Sequence, residues 1–153
     1  MNILYFAYGS NLLSGRMRER VPSARREAVA VLDHHRLACN KRGCDGSAKA
    51  NLVPAAGHWV WGVLYRIEGA ELALLDRFES GYERVVVEVR TASGEARLAS
   101  TYRSDRITED PVPFDWYRGM ILEGAREQGL PEQYLTLLEA LPAKPDANGA
   151  REG

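Results

Sequence analysis

The chain has 153 residues and a formal net charge of −1, because 20 basic side chains nearly balance 21 acidic ones. This length suits a single domain, and a composition of 45% hydrophobic and 27% charged residues is typical of a globular protein with a core. The near-neutral balance disfavours nucleic-acid binding and attachment to a membrane surface, since both depend on an excess of Lys and Arg. Disordered, collagen-like and coiled-coil classes are disfavoured as well.

The two cysteines, Cys39 and Cys44, are too few to crosslink a secreted scaffold, and no clean set of His and Cys partners completes a zinc site. We interpret them as reduced residues that serve packing. The first 15 residues carry no charge, but they lack the basic start of a signal peptide. No apolar stretch reaches the ~18 residues of a membrane span. The sequence therefore predicts a soluble cytoplasmic protein without a bound metal.

Strand patterns dominate the first half of the chain. Runs of apolar and β-branched residues predict strands at residues 2–7, 26–40, 50–55 and 58–67. Asp33 is a candidate point for a bend, and Gly62 permits a close approach or a bulge. Residues 12–20 predict one or two helical turns, and residues 41–49 predict a polar loop.

The pattern changes to helical spacing at residues 68–79. The side facing the core would be formed by Leu72, Leu75 and either Phe78 or Glu79. The helix is expected to end before Gly81, with Glu79 at or near its C-terminal end. Residues 82–92 and 95–103 then flank a Ser-Gly pair and predict the clearest β-hairpin of the chain.

Two helices are predicted to close the fold. Residues 114–128 form the first, which stops at Gly129, and the second begins after Pro131. The apolar face of the first consists of Phe114, Tyr117, Ile121 and Ala125. We predict one domain at residues 1–142 and a flexible tail at residues 143–153.

This order of elements indicates the fold class. Roughly six or seven strands, one embedded helix and two closing helices are segregated along the chain rather than alternating. The pattern favours an α+β fold in which a curled or closed sheet carries helices outside, over a doubly wound parallel sheet.

A first candidate site is the segment Tyr8-Gly9-Ser10-Asn11, directly after the first strand. Gly9 permits a tight turn, and the helical turn after it leaves N–H groups that could bind a carboxylate or an oxyanion. The alternative is an ordinary strand-to-helix turn in which Ser10 or Asn11 caps the helix.

A second candidate is Glu79. On the apolar side of a short helix, beside Phe78, its carboxyl group would be desolvated, which raises its pKa and suits it to proton transfer near neutral pH. The alternative is an exposed carboxylate at a helix end. We interpret the charged stretch at residues 16–27 as a solvated surface of mixed sign.

The segment at residues 4–12, LYFAYGSNL, resembles the opening signature of the gamma-glutamylcyclotransferase family. Further blocks resemble the family in the same order, and they span most of the chain. They are Ala50-Asn51-Leu52-Val53-Pro54, Trp61-Gly62-Val63, Leu75-Asp76-Arg77-Phe78-Glu79 with Tyr82 and Arg84, and Gly124-Ala125-Arg126-Glu127 before Gly129-Leu130-Pro131.

The resemblance, which includes gamma-glutamylamine cyclotransferase-like proteins, implies a small mixed β-barrel of about five to seven strands with helices outside. It implies that the free amine of a γ-glutamyl compound attacks its own γ-carbonyl, giving 5-oxoproline without any cofactor. Glu79 falls on the catalytic acid/base position. The implied substrate-binding residues are Tyr5, Phe6, Ala7, Tyr8, Gly9, Ser10, Asn11, Tyr82 and Tyr117.

This chain departs from the family pattern after Glu79, where Ser80 stands before Gly81 and many relatives have Gly directly. The partner implied is a small γ-glutamyl molecule, and neither the leaving group nor the oligomeric state follows from the sequence. A second hypothesis is a non-catalytic binder of a γ-glutamyl or carboxylate ligand on the same scaffold, because a fold does not determine function.

Overall fold

The computed structural model describes residues 1–147 of the chain. These residues contain five strands and four helices, joined by turns and loops. The strands are β1 (Asn2–Ala7), β2 (Arg25–Arg42), β3 (Ala48–Glu68), β4 (Glu83–Thr91) and β5 (Ala96–Arg103). The helices are α1 (Ser14–Arg20), α2 (Leu72–Phe78), α3 (Asp115–Gln128) and α4 (Glu132–Glu139), and 3-10 turns occupy Ser10–Leu12 and Gly69–Glu71.

The strands close into a barrel in the order β1-β3-β2-β4-β5. Neighbouring strands are antiparallel except at the closing seam, where β1 and β5 run parallel and Tyr5 lies opposite Ser100. Closure removes the exposed sheet edges that an open sheet of this size would leave. The predicted α+β fold with a small mixed barrel is confirmed.

The barrel has fewer strands than the element order suggested, because residues 50–55 and 58–67 belong to one strand, β3. It pairs with β2 along almost its whole length. The predicted bend in β2 is present as a register shift between Asp33 and His35, where His34 has a φ of 61°. A bulge of this kind bends a strand without ending its ladder.

Gly62 brings β1 and β3 close together at the end of β1. A Cβ atom at this position would lie 2.3 Å from the carbonyl oxygen of Ala7 and 2.8 Å from the ring of Phe6. Only glycine fits such an approach, as the sequence suggested for this position. The contact fixes where β1 ends and therefore where the segment after it begins.

The closing helices follow the predicted pattern. Gly129 has a φ of 74° and ends α3, which buries Tyr117, Ile121 and Ala125 against the barrel. Within residues 1–147, none of the helices is both long enough and apolar enough to cross a membrane.

The first residues of the predicted tail contact the start of α3. The backbone of Lys144 hydrogen-bonds both Pro113 and Asp115, and Asp146 accepts a hydrogen bond of 3.0 Å from the indole of Trp116. These contacts hold residues 143–147 against the start of α3, because paired backbone groups resist fraying. The rest of the predicted tail, residues 148–153, lies outside the described residues.

Candidate active site

Glu79 is the residue that ends α2. Its N–H donates to the carbonyls of Leu75 at 3.1 Å and Asp76 at 3.2 Å. Leu75 is fully buried and anchors the helix, whereas Phe78 is 50% exposed. Of the two alternatives for the inner side of the helix, the structure therefore selects Glu79.

The segment after β1 meets Glu79 from the opposite side. Asn11 is buried, and its Nδ2 donates to Glu79 Oε1 and to the hydroxyl of Tyr5, each at 3.1 Å. Ser10 and Asn11 open a 3-10 turn, so their N–H groups have no acceptor within it. Neither side chain caps a helix, because the N-cap residues are Gly9 for the turn and Leu13 for α1. The capping alternative is therefore wrong.

This segment is tied down by its surroundings. The hydroxyl of Tyr65 donates to the carbonyl of Asn11 at 2.9 Å, and Nε2 of Gln128 donates to the carbonyl of Leu12 at 2.9 Å. A Cβ on Gly124 of α3 would lie 2.6 Å from Cβ of Leu12. The barrel and α3 together fix the loop, which gives the rigid support that a catalytic site requires.

Glu79 and the loop enclose an inner cavity of about 30 Å³. Its lining consists of Tyr5, Tyr8, Gly9, Ser10, Asn11, Ala50, Glu79, Tyr82, Tyr102 and Tyr117. Two predicted substrate-binding residues, Phe6 and Ala7, do not line it, and both are fully buried in the core. Phe6 points away from Tyr5 because side chains alternate along a strand, and Ala7 lies at the close approach to Gly62.

Two residues of the inner cavity, Ala50 and Tyr102, were not among the predicted site residues. The backbone of Ala50 links two rings, since its N–H donates to the hydroxyl of Tyr117 at 3.0 Å and its carbonyl accepts from Tyr82 at 2.6 Å. The backbone carbonyl of Tyr102 accepts a hydrogen bond from the hydroxyl of Tyr8. The sequence block that begins at Ala50 was a signal for Ala50, but no local pattern indicated Tyr102.

The tyrosines of the cavity stay protonated at neutral pH. Burial raises the pKa of Tyr5, Tyr8 and Tyr82 well above its ordinary value, and it raises the pKa of Tyr117 too. Among the described residues that line the inner cavity, Glu79 is therefore the side chain suited to accept a proton near neutral pH.

Burial also raises the pKa of the Glu79 carboxyl above its ordinary value. The positive charges of Arg20, Arg16 and Lys41 and the hydrogen bond from Asn11 oppose this shift. Desolvation dominates, so the carboxylate is more basic than an exposed one, and the nearby cations favour its ionised form. This balance suits a general acid/base.

A larger vestibule of about 260 Å³ adjoins the inner cavity, and the two share Ser10, Glu79, Tyr82 and Tyr117. Four cationic side chains line the vestibule: Arg16, Arg20, Lys41 and Lys49. The interpretation of residues 16–27 as solvated surface is wrong for Arg16 and Arg20. Helix α1 directs both side chains toward the site, while Met17 is buried in the core.

The two cysteines are both free, and they differ in exposure: Cys39 is buried and Cys44 is exposed in the vestibule wall. Burial raises the pKa of the Cys39 thiol to about 12, and the reactive form of a thiol is its thiolate. We expect iodoacetamide to add one group per folded chain and a second one only in denaturant, measured by intact mass. Two adducts on the folded protein would contradict this placement.

In the part of the chain that the structure describes, no group of three or more His, Cys, Asp or Glu side chains could hold a metal ion. The charged and polar groups that line the site are those of Glu79, the loop and the cations around them.

Known proteins resemble this chain in both sequence and structure. The AIG2-like family matches residues 59–138. The human protein named gamma-glutamylcyclotransferase is 37% identical over 150 residues, which cover 92% of this chain and 79% of the relative. The mouse protein of the same name is 36% identical over 148 residues, covering 90% and 78%.

A solved structure of a protein named gamma-glutamyl cyclotransferase has the same fold. It superimposes with a TM-score of 0.89 at 31% identity, over 100% of this chain and 94% of that one. The superposition extends over the whole of this chain, and so over both Glu79 and the loop after β1. The chain belongs to the gamma-glutamylcyclotransferase family of enzymes.

Proposed function

We propose that this protein cyclises the γ-glutamyl group of a small substrate to 5-oxoproline and releases the amine or amino acid bound to it. The observation that carries the proposal is the Glu79 carboxyl, which is half-buried, accepts a hydrogen bond from Asn11 of the loop after β1, and has a pKa raised by desolvation. The family supports the same reaction, since the human relative bears the name gamma-glutamylcyclotransferase.

Glu79 acts as the general acid/base. The α-ammonium group of the substrate must lose a proton before its nitrogen can attack the γ-carbonyl carbon, and the Glu79 carboxylate accepts that proton. The new C–N bond closes a five-membered ring. The amide C–N bond then breaks, and the proton passes from Glu79 to the departing nitrogen. The ring nitrogen still carries a second proton after the attack; Glu79 accepts it in turn and passes it to the released amine, which leaves as an ammonium ion. No water or cofactor is consumed, so atoms and charges balance within the substrate and Glu79.

The loop supplies the second element of catalysis. The N–H groups of Ser10 and Asn11, which open the 3-10 turn, are the donors for the glutamyl carboxylate or for the oxyanion of the tetrahedral intermediate. Tyr8, Tyr82 and Tyr117 form the wall that excludes water. Because the attack is intramolecular, much of the rate enhancement comes from holding the chain of the substrate in a bent conformation.

A cytoplasmic location is part of the proposal. Both cysteines are free thiols, which is the state that a reducing compartment maintains.

The test is to incubate the protein with γ-glutamyl-alanine and with several γ-glutamyl amines and to assay 5-oxoproline and the released amine. We expect 5-oxoproline and alanine in equal amounts. The competing hypothesis of a non-catalytic binder predicts saturable binding by calorimetry without product. Absence of product from every substrate would overturn the proposed reaction.

A further inference from the structure

We infer that the vestibule binds the leaving group through its carboxylates, and that the preferred leaving group is a dicarboxylic amino acid such as glutamate or aspartate. This inference rests on the proposed function and narrows its substrate class. It would make acidic γ-glutamyl dipeptides better substrates than γ-glutamyl amines.

The vestibule lies where a leaving group must lie. The inner cavity holds Glu79 and the loop, and it adjoins the vestibule through the four residues that line both. A γ-glutamyl chain that reaches the loop with its α-amino and α-carboxylate ends fills the small inner space. Its γ-amide then points outward, so the group attached to that amide enters the vestibule.

The lining of the vestibule is strongly biased toward positive charge. Among the described residues that line it, the carboxylates are Asp45 and Glu79, and Arg20, Lys41 and Lys49 outnumber them. An adjoining recess that shares Lys41, Cys44 and Ser80 with the vestibule adds Arg42 and Arg106. The glutamyl part of the substrate is zwitterionic and leaves this excess unchanged. A leaving group with two carboxylates offsets more of the excess than one with a single carboxylate, and an amine offsets none of it.

The cations are fixed in place before any ligand arrives. The ammonium of Lys41 lies 4.6 Å from the centre of the Tyr82 ring and donates to the carbonyl of Ser80 at 2.8 Å. The ammonium of Lys49 lies 4.6 Å from the ring centre of Tyr117 and 4.9 Å from that of Trp116. Cations held on aromatic faces lose little freedom when an anion binds.

Burial makes these two lysines receptive to an anion. Lys41 is only 4% exposed, and the side chain of Lys49 is 16% exposed. Desolvation lowers the pKa of both. The nearest carboxylate of the protein, Asp45, lies 3.6 Å from the ammonium of Lys49, so the two form a loose pair. A ligand carboxylate in the vestibule would restore the solvation that these ammonium groups have lost.

The experiment compares γ-glutamyl-glutamate with γ-glutamyl-glutamine, which match in size and differ by one negative charge. We expect kcat/KM for the first to be about tenfold higher at low ionic strength, the effect of one partly screened charge pair, and the ratio to shrink as salt is added. Calorimetry of both dipeptides with the Glu79→Gln protein measures the same preference in binding alone.

Matched lysine variants show whether the vestibule causes the preference. Lys49→Gln should reduce the ratio toward one, while Lys144→Gln, a change of the same kind at a half-buried residue outside both cavities, should keep it. A ratio of one or less in the unmodified protein, in both turnover and binding, would overturn the inference. So would a ratio that Lys49→Gln leaves intact. Turnover of γ-glutamyl-alanine with no acidic preference defeats only this inference, whereas absence of 5-oxoproline from all substrates defeats the proposed reaction.

Discussion

Replacing Glu79 with Gln is expected to lower kcat/KM for 5-oxoproline formation by roughly 10³-fold, within the range of a lost general acid/base. The amide keeps the size of the side chain and an oxygen that can accept the 3.1 Å hydrogen bond from Asn11, but it cannot take a proton. Steady-state assays with γ-glutamyl-alanine measure the effect. Glu83→Gln, an equivalent change at the exposed start of β4, serves as the control and should leave the rate unchanged.

The stability of the Glu79→Gln variant, measured by urea unfolding, distinguishes a catalytic from a structural role for Glu79. Burial raises the pKa of Glu79 in the folded chain, so the protonated form contributes stability that is complete below the unfolded pKa. That contribution is lost as the pH rises through the folded pKa. At pH 7, Glu79→Gln should therefore unfold at the same or a higher urea concentration than the parent, and any gain should vanish in acid. A variant destabilised at pH 7 would point to a structural role instead.

The same shift determines the acid side of the activity profile. Glu79 must be ionised to accept the proton of the substrate, so kcat/KM should fall as the pH drops through its pKa. The midpoint should lie above the ordinary value for Glu, because desolvation raises the pKa of Glu79. Glu79→Gln, which cannot ionise at this position, should lack this limb when kcat/KM is measured over the same pH series.

Local signals in the sequence were sufficient for elements whose structure depends on neighbouring residues. The β4–β5 hairpin and the end of α3 at Gly129 follow from a turn pair and from a left-handed cap. They were not sufficient for β3, because Pro54 and its surroundings indicate a break that pairing with β2 overrides. Closure of the barrel depends on a parallel contact between β1 and β5, which lie far apart in the chain and have no local signal.

The residues of the candidate site also fall into two groups: those that local sequence patterns indicated and those that only the fold brings together. Glu79 and the segment from Tyr8 to Asn11 were found because their residue types are informative where they stand. The cations of the vestibule come from α1, the end of β2 and the start of β3, and each segment by itself has the composition of a polar surface. Only the fold brings Arg20, Lys41 and Lys49 around one cavity.

The contact between α3 and the loop fixes the two residues that directly follow Asn11. A Cβ at Gly124 would lie 2.7 Å from the backbone nitrogen of Leu13 and 2.6 Å from Cβ of Leu12. Rotating a side chain does not relieve a clash with backbone, so helix and loop must move apart. The loop would carry Asn11 away from Glu79, to which it hydrogen-bonds.

Gly124→Ala is therefore expected to lower kcat/KM by about 100-fold, the effect of a displacement of about 1 Å at a catalytic site. It should also destabilise the fold, since overpacking costs about 1–3 kcal/mol and the gain in helix propensity returns at most about 1 kcal/mol. Enzyme assays and thermal unfolding measure the two effects.

Gly119→Ala supplies the matched control in the same helix. No heavy atom lies within 4 Å of a Cβ at Gly119, and this residue is exposed, so the substitution should raise the stability by roughly 0.5–1 kcal/mol and leave the activity unchanged. Both variants gain the same helix propensity, and the difference between them therefore isolates the contact with Leu12 and Leu13. If they behaved alike, the contact of Gly124 with Leu12 and Leu13 would not be holding the loop, and the placement of Asn11 opposite Glu79 would have to depend on its hydrogen bonds to Tyr5 and Tyr65.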